Sequence, residues 1–173
     1  NAGRTETDYK IHNLNRGKIL SGTRFAIINQ DIADHRDKAL RIRKKIKNKN
    51  ILINFGSSSH ESLYSQFINS LISSGDMQGK SISLLSSNKT SNEFKDLLDS
   101  LKVRLLTSLS PIELAKLYIS SDFCIGAGGV SALERGCLGL PSGVVCIAEN
   151  QYPGSVQLEK KGCIKLLNNF PDL

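Results

Sequence analysis

The residues of this chain best placed by type and spacing to do chemistry are Gly126-Ala127-Gly128-Gly129, followed at once by Val130-Ser131-Ala132-Leu133-Glu134. The apolar run Phe123-Cys124-Ile125 leads into the glycines, and a helix-forming stretch leads out of them. Glycine lets a backbone approach a ligand closely and adopt positive φ. The helix start offers unpaired N–H groups and the positive end of the helix dipole. Together these make an anion site, most often for phosphate. The pattern is not GxxxxGK[ST], so the lysine of a P-loop is absent, and it is not a strict GxGxxG. Tight strand-on-helix packing is the competing reason for such glycines.

Glu134 lies one helical turn beyond Val130, where a carboxylate can face the same ligand and accept from vicinal ribose hydroxyls. Hydrogen bonds of this charge-assisted kind are worth roughly 1.5–3 kcal/mol. A solvated glutamate, or one paired with Arg135 or a nearby lysine, is the plain alternative. Two further loops carry suitable groups. Gly56-Ser57-Ser58-Ser59-His60 offers small residues and hydroxyls to a diphosphate or sugar, although Ser57 or Ser58 would equally cap the next helix. Asn150 and Gln151, in Ala148-Glu149-Asn150-Gln151, can reach a sugar or simply make a turn. His12, His35 and His60 have no matched nucleophile or acid nearby in sequence and read as solvated.

The elements that position these loops alternate. Short apolar strands are expected at 51–55, 81–85, 103–106, 122–125, 143–147 and 163–167. Helices with apolar residues at helical spacing are expected at 61–74, 92–101, 130–139 and 154–161. Another helix opens at Ser110-Pro111-Ile112-Glu113, a capping box with proline in the first turn. Upstream, Arg24–Ile28 reads as a short strand, and Asp31 to Lys47 as a helix capped by Asp31. Strands joined by helices must pair in parallel, because only a crossover returns the chain to the same end. The fold class is therefore α/β, a Rossmann-like doubly wound parallel sheet. Ligands bind such sheets beyond the carboxyl ends of the strands, where all three loops fall.

Bulk properties agree with one soluble domain. The chain has 173 residues, 39% hydrophobic and 23% charged, and no apolar run reaches the ~18 residues of a membrane span. Cys124, Cys137, Cys146 and Cys163 form no CxxC pair and read as reduced core residues, which points to the cytoplasm. The net charge is +7, and Arg36, Lys38, Arg41, Arg43, Lys44, Lys45, Lys47 and Lys49 crowd one stretch. With no interleaved aromatic, this reads as a solvated helix face rather than a nucleic-acid site.

Taken together, these loops resemble a known family. The run SDFCIGAGGVSALERGCLGLPSGVVCIAENQ (121–151) is similar to the signature of UDP-sugar hydrolases of the pseudaminic acid pathway. Residues 22–36 (GTRFAIINQDIADHR) and 51–59 (ILINFGSSS) are similar to two further segments of that family. The resemblance covers residues ~18–167 and is most specific over 125–151. It implies the C-terminal, UDP-binding domain of a two-domain glycosyltransferase-B architecture. It sets Gly128, Gly129, Val130 and Ser131 at the diphosphate and Glu134 at the ribose. The base would lie against backbone near Leu109 and Ser110, with Gly56, Ser57, Ser58, Asn150 and Gln151 on the sugar and diphosphate side. Val130 and Leu133 stand where the family commonly has Ser and Trp, which bears on the sugar rather than on UDP.

The family's N-terminal half carries a GxGH loop assigned to water activation, and no such loop occurs in these 173 residues. The catalytic base is therefore unassigned, and the expected partner is the missing N-terminal domain of the same polypeptide, without which the chain is expected to be inactive. No cofactor or metal is implied. The donor-binding domain of a UDP-sugar glycosyltransferase is the alternative. The expected layout is Asn1-Ala2 as a cloning scar, 3–23 as a linker or strap, and 24–173 as the binding domain.

Overall fold

The computed structural model describes residues 20–44, 49–56, 61–75, 78–86 and 90–167. Six strands form one sheet: β1 (Asn50–Asn54), β2 (Ser81–Leu85), β3 (Arg104–Leu106), β4 (Phe123–Ala127), β5 (Ser142–Val145) and β6 (Lys165–Leu166). Their order is β3-β2-β1-β4-β5-β6, and every pairing is parallel. This is the Rossmann-like α/β arrangement that the alternation of strands and helices requires.

Alternate residues of a strand face opposite sides of the sheet, and the core divides accordingly. Ile53, Leu84 and Val145 join Leu63, Phe67 and Ile68 of α3 (Glu61–Ser74) and Phe94 and Leu98 of α4 (Asn92–Ser100) on one face. Leu52 and Cys124 pack on the other face with Ala115 and Tyr118 of α5 (Pro111–Ser120). Val144 and Leu166 pack there with Ala132 of α6 (Val130–Cys137) and Leu158 of α7 (Tyr152–Lys160). Helices thus cover both faces.

The capping box at α5 forms as its spacing demands. Ser110 Oγ accepts from Glu113 N–H, and the Glu113 carboxylate accepts from Ser110 N–H at 2.8 Å. α4 is capped by Ser91, whose hydroxyl accepts from Phe94 N–H.

Two upstream expectations are corrected. Residues 24–28 form no strand; Thr23–Phe25 make a single 3-10 turn, and Ile27 is 91% exposed. The expected helix from Asp31 is split into α1 (Gln30–Ala33) and α2 (Arg36–Arg43), and its cap is Asn29, which accepts from Asp31 N–H at 2.9 Å. The His35 ring bonds the Asp31 carbonyl at 2.7 Å while His35 N–H turns to Ile32, which closes a tighter turn and ends α1. Lys45 and Lys47 lie outside the described residues.

The basic stretch is only partly a solvated face. Arg36 donates to the Cys137 carbonyl at the end of α6, and Arg43 donates to the carbonyls of Tyr118 and Ser121 at the end of α5. Cations at helix C-termini satisfy orphan carbonyls and oppose the dipole. Lys38 and Arg41 remain exposed. Among the described residues no helix is long and apolar enough to cross a membrane.

Candidate functional site

The strand order reverses between β1 and β4: the chain leaves β1 toward β2 and leaves β4 toward β5. The crevice beyond the carboxyl ends of two such strands is where open α/β sheets bind ligands. Asn54, the last residue of β1, is in register with Gly126 of β4. Gly56, two residues past the end of β1, and the glycine turn after β4 therefore flank this one point.

On the β4 side, Gly129 has φ +76° and stands at the N-cap of α6 without any side-chain cap. The first N–H groups of α6 are left to another partner. Gly126 and Gly128 are required by space. A Cβ on Gly126 would run into the Asn54 backbone carbonyl, and one on Gly128 would stand 2.7 Å from Ser155 Oγ. On the β1 side, Gly56 has φ +86°, and its N–H donates to Asn54 Oδ1 at 2.9 Å. Ser57, Ser58 and His60 lie outside the described residues, as does His12.

Beneath the crevice, on the α5 and α6 face of the sheet, is a polar group of residues that sequence reasoning missed. Arg135 is fully buried. Its Nη2 donates to the Ala127 carbonyl at 2.7 Å and its Nε to Ser142 Oγ at 3.2 Å. Among the described residues its Nη1 makes no well-aligned hydrogen bond, although the Tyr118 hydroxyl interacts with the guanidinium, and it lies 3.1 Å from where a Cβ on Gly126 would stand. Asn54 Nδ2 reaches the Tyr118 hydroxyl at 3.4 Å. Burial pushes the Tyr118 hydroxyl up to about 12, against the pull of Arg135.

Buried polar atoms are almost always paired, and an unpaired one costs ~1–3 kcal/mol, more when charged. Among the described residues, the buried side-chain polar atoms left without a partner are Arg135 Nη1 and Ser155 Oγ. One abuts Gly126 and the other abuts Gly128. The unsatisfied polarity of the described chain thus lies beside two residues of a single turn.

Glu134 is half-buried on α6, and its carboxylate makes no hydrogen bond or ion pair among the described residues. Burial raises its pKa above the usual carboxylate range, and Arg135 pulls it partly back. The alternative of a salt bridge to Arg135 is not realised. A cavity of about 450 Å³ is lined by Gly129, Val130, Leu133, Asn150, Gln151 and the upstream residues Phe25, Ala26 and Ile27; Gly128, Ser131 and Glu134 do not line it. That volume is within the range of small-molecule pockets. The segment expected as a strand is instead a wall of this cavity, held down in part by Lys161 Nζ on Thr23 Oγ1 at 2.6 Å. Gln151 Oε1 accepts from Ile147 N–H at 3.2 Å, which fixes that side chain at the strand end, while Asn150 is exposed.

Gly128 and Gly129 thus lie on the turn, Val130 and Ser131 on the first turn of α6 and Glu134 on its second, and Gly129 and Val130 share the cavity with Asn150 and Gln151. Leu109 and Ser110 follow β3, three strand spacings or about 14 Å from β4. The N–H, carbonyl and hydroxyl of Ser110 are all taken by the helix cap. Of the cysteines, all are free; Cys124 is core, whereas Cys163 is exposed, contrary to a core role for each. Among the described residues no group of three or more His, Cys, Asp or Glu could hold a metal ion.

Fold and site define a Rossmann-like α/β domain with a glycine turn built at its switch point. Comparison of the sequence with known protein families gives no match, and comparison with curated proteins gives none. Among solved structures, the chain is similar to a Listeria monocytogenes protein described as a UDP-N-acetylglucosamine 2-epimerase. The identity is 13%, the TM-score 0.45, and the match covers 73% of this chain and 34% of that one. The chain thus spans about a third of that protein's length.

Proposed function

We propose that this chain binds a nucleoside diphosphate sugar, with the diphosphate on the Gly128–Ser131 turn and the ribose hydroxyls on Glu134. The carrying observation is the pair of buried atoms without a partner among the described residues, Arg135 Nη1 beside Gly126 and Ser155 Oγ beside Gly128, at the glycine turn of the switch point. A turn with spare donors, an uncapped helix start and a buried cation is matched by an anionic ligand. The free, half-buried carboxylate of Glu134 supports a neighbouring group rich in hydroxyls.

The resemblance of residues 121–151 to pseudaminic-pathway hydrolases favours uracil as the base and hydrolysis of a UDP-sugar for surface polysaccharide as the reaction. In this reading the chain is the leaving-group half of a glycosyltransferase-B architecture. It holds UDP, with Asn150 and Gln151 toward the sugar; the resemblance also sets Gly56, Ser57 and Ser58 on the sugar and diphosphate side. A base near Leu109 would meet backbone rather than the Ser110 hydroxyl. No residue of this chain is assigned as the hydrolytic base.

Titration with UDP by calorimetry and thermal shift tests the reading. Ligand at 100 times its dissociation constant should add about 2.7 kcal/mol of stability. No response to UDP, UMP or UDP-sugars at millimolar concentration refutes it.

A further inference from the structure

Every strand pairing is parallel, so all six strands start at one end of the sheet, opposite the crevice. That end is basic. Lys49 precedes β1, Lys80 precedes β2, and Lys102 and Arg104 stand at the start of β3; all four are exposed. The register Asn50↔Ser81 sets Lys49 beside Lys80, and β3 comes next in line through Ser83↔Arg104. Neighbouring strands are about 4.8 Å apart, so this row of cations spans only about 10 Å. α2 is brought to the same end. Its Arg36 and Arg43 donate to carbonyls at the carboxyl ends of α6 and α5, and a crossover helix ends where the next parallel strand begins. Lys38, Arg41 and Lys44 are left exposed there. The helix dipole accounts for Arg36 and Arg43, which neutralise carbonyls at helix ends. The side chains of the other cations make no hydrogen bond or ion pair among the described residues. Asp37 and Asp99 also stand at this end, and Asp122 accepts from the N–H groups of Lys49 and Asn50. Like charges closer than the Debye length of about 8 Å repel unless anions meet them.

We propose that this basic end docks the chain on an anionic lipid bilayer. Charge complementarity selects an anionic partner, and the apolar residues among the cations select lipid. Ile42 on α2 is 44% exposed beside Arg41, and Ile72 in the last turn of α3 is 42% exposed at the same end. Aliphatic side chains set among lysines and arginines suit the headgroup boundary of a bilayer. A nucleic acid would be met by aromatics that stack on bases. The exposed aromatics of the described chain, Phe25 and Tyr152, lie instead at the crevice end. The charge is also polarised along the strands. Glu61, Glu93 and Glu113 occupy the first turns of α3, α4 and α5, beside the crevice. An anionic surface therefore attracts one end and repels the other. Docked in this way, the chain holds the Gly126–Gly129 turn away from the membrane and open to solvent. The inference does not depend on what the crevice binds.

The test is vesicle flotation of the 173-residue chain. It should bind phosphatidylcholine vesicles that carry about 30% phosphatidylglycerol and ignore pure phosphatidylcholine. Its affinity should fall at least about tenfold between about 0.05 and 0.3 M salt. Lys38→Glu with Arg41→Glu, and separately Lys80→Glu with Arg104→Glu, should each weaken binding at least about tenfold. Lys95→Glu with Lys116→Glu changes the net charge equally, on exposed residues near the acids of the crevice end, and should stay within about twofold. Ile42→Ser should lower the affinity about fivefold and leave its salt dependence unchanged. No binding of the wild type to the anionic vesicles at low salt overturns the proposal, and that measurement needs no variant to fold. Equal losses in the Lys95 and Lys116 pair would reduce the effect to net charge and overturn it too. Preference for a duplex RNA over the vesicles would make the partner a nucleic acid. Saturating UDP should leave vesicle binding unchanged; competition between the two would put the crevice in the docking face and overturn the orientation.

Discussion

Ser155 Oγ lies 2.7 Å from the point where a Cβ on Gly128 would stand, so the serine hydroxyl fills the space a side chain there would need. The hydroxyl is fully buried and has no partner among the described residues. Gly128→Ala should therefore destabilise the chain by about 2 kcal/mol through overpacking. Ser155→Ala removes an unsatisfied group and should change stability by less than about 0.5 kcal/mol. The double variant should recover at least about 1 kcal/mol, since residues in contact couple. Recovery stays partial because Gln151 Cβ also stands 3.1 Å from that point. Urea unfolding of the four proteins measures the cycle; strict additivity would show that the two positions do not touch.

Gly126→Ala is the harsher substitution. Its new Cβ meets the Asn54 backbone carbonyl, which belongs to a central strand and cannot swing aside as a side chain can. A loss of about 3 kcal/mol or more is expected. Equal urea midpoints for Gly126→Ala and wild type would contradict the β1–β4 register.

Glu134 gives the pH dependence. Its folded pKa is raised by burial, so its contribution to stability is greatest when protonated and is lost as pH rises through the folded value. Glu134→Gln should then hold or raise the thermal midpoint of the free chain at neutral pH, with the difference shrinking toward pH 4. Binding runs the other way, because two ribose hydroxyls need the ionised carboxylate as acceptor. Wild-type affinity for UDP should fall as pH drops through a window above the ordinary glutamate value of about 4.3. Glu134→Gln should weaken UDP by about tenfold or more at neutral pH and leave pyrophosphate unchanged. Calorimetry from pH 5 to 8 on both proteins separates this from the ligand's own titration; equal losses for UDP and pyrophosphate would place Glu134 away from the ribose.

Arg43 is predicted to be structural. It donates to carbonyls at the end of α5 and, at 3.5 Å, to Leu138 beyond α6. Arg43→Met should cost about 2–3 kcal/mol, since several carbonyls lose a charged donor. Lys38→Ala and Arg41→Ala, on the exposed part of the same stretch, should stay within about 0.5 kcal/mol. Thermal unfolding of the three variants checks the order. Similar losses in all three would mean that Arg43 does not clamp the helix ends.

What is local was legible in the residues alone. Alternating apolar runs and helical spacings forced a parallel α/β sheet, and Ser110-Pro111-Ile112-Glu113 closed its own cap. The Gly126–Gly129 run announced a turn at the end of a strand. Where local signals were weak, they misled: RFAII has β-forming residues, but the sheet's edge strands are β3 and β6, and the segment became a cavity wall.

Tertiary structure decided everything that depends on distant pairing. Strand order set β4 beside β1 and so placed the Gly56 loop opposite the glycine turn. The same packing sank Arg135, Asn54 and Ser155 beneath or beside that turn. In the sequence Arg135 is one more basic residue next to Glu134, and Asn54 one polar letter in an apolar run. Burial alone gives them weight, because a polar atom removed from water must find a partner, and two such atoms around this turn have none among the described residues.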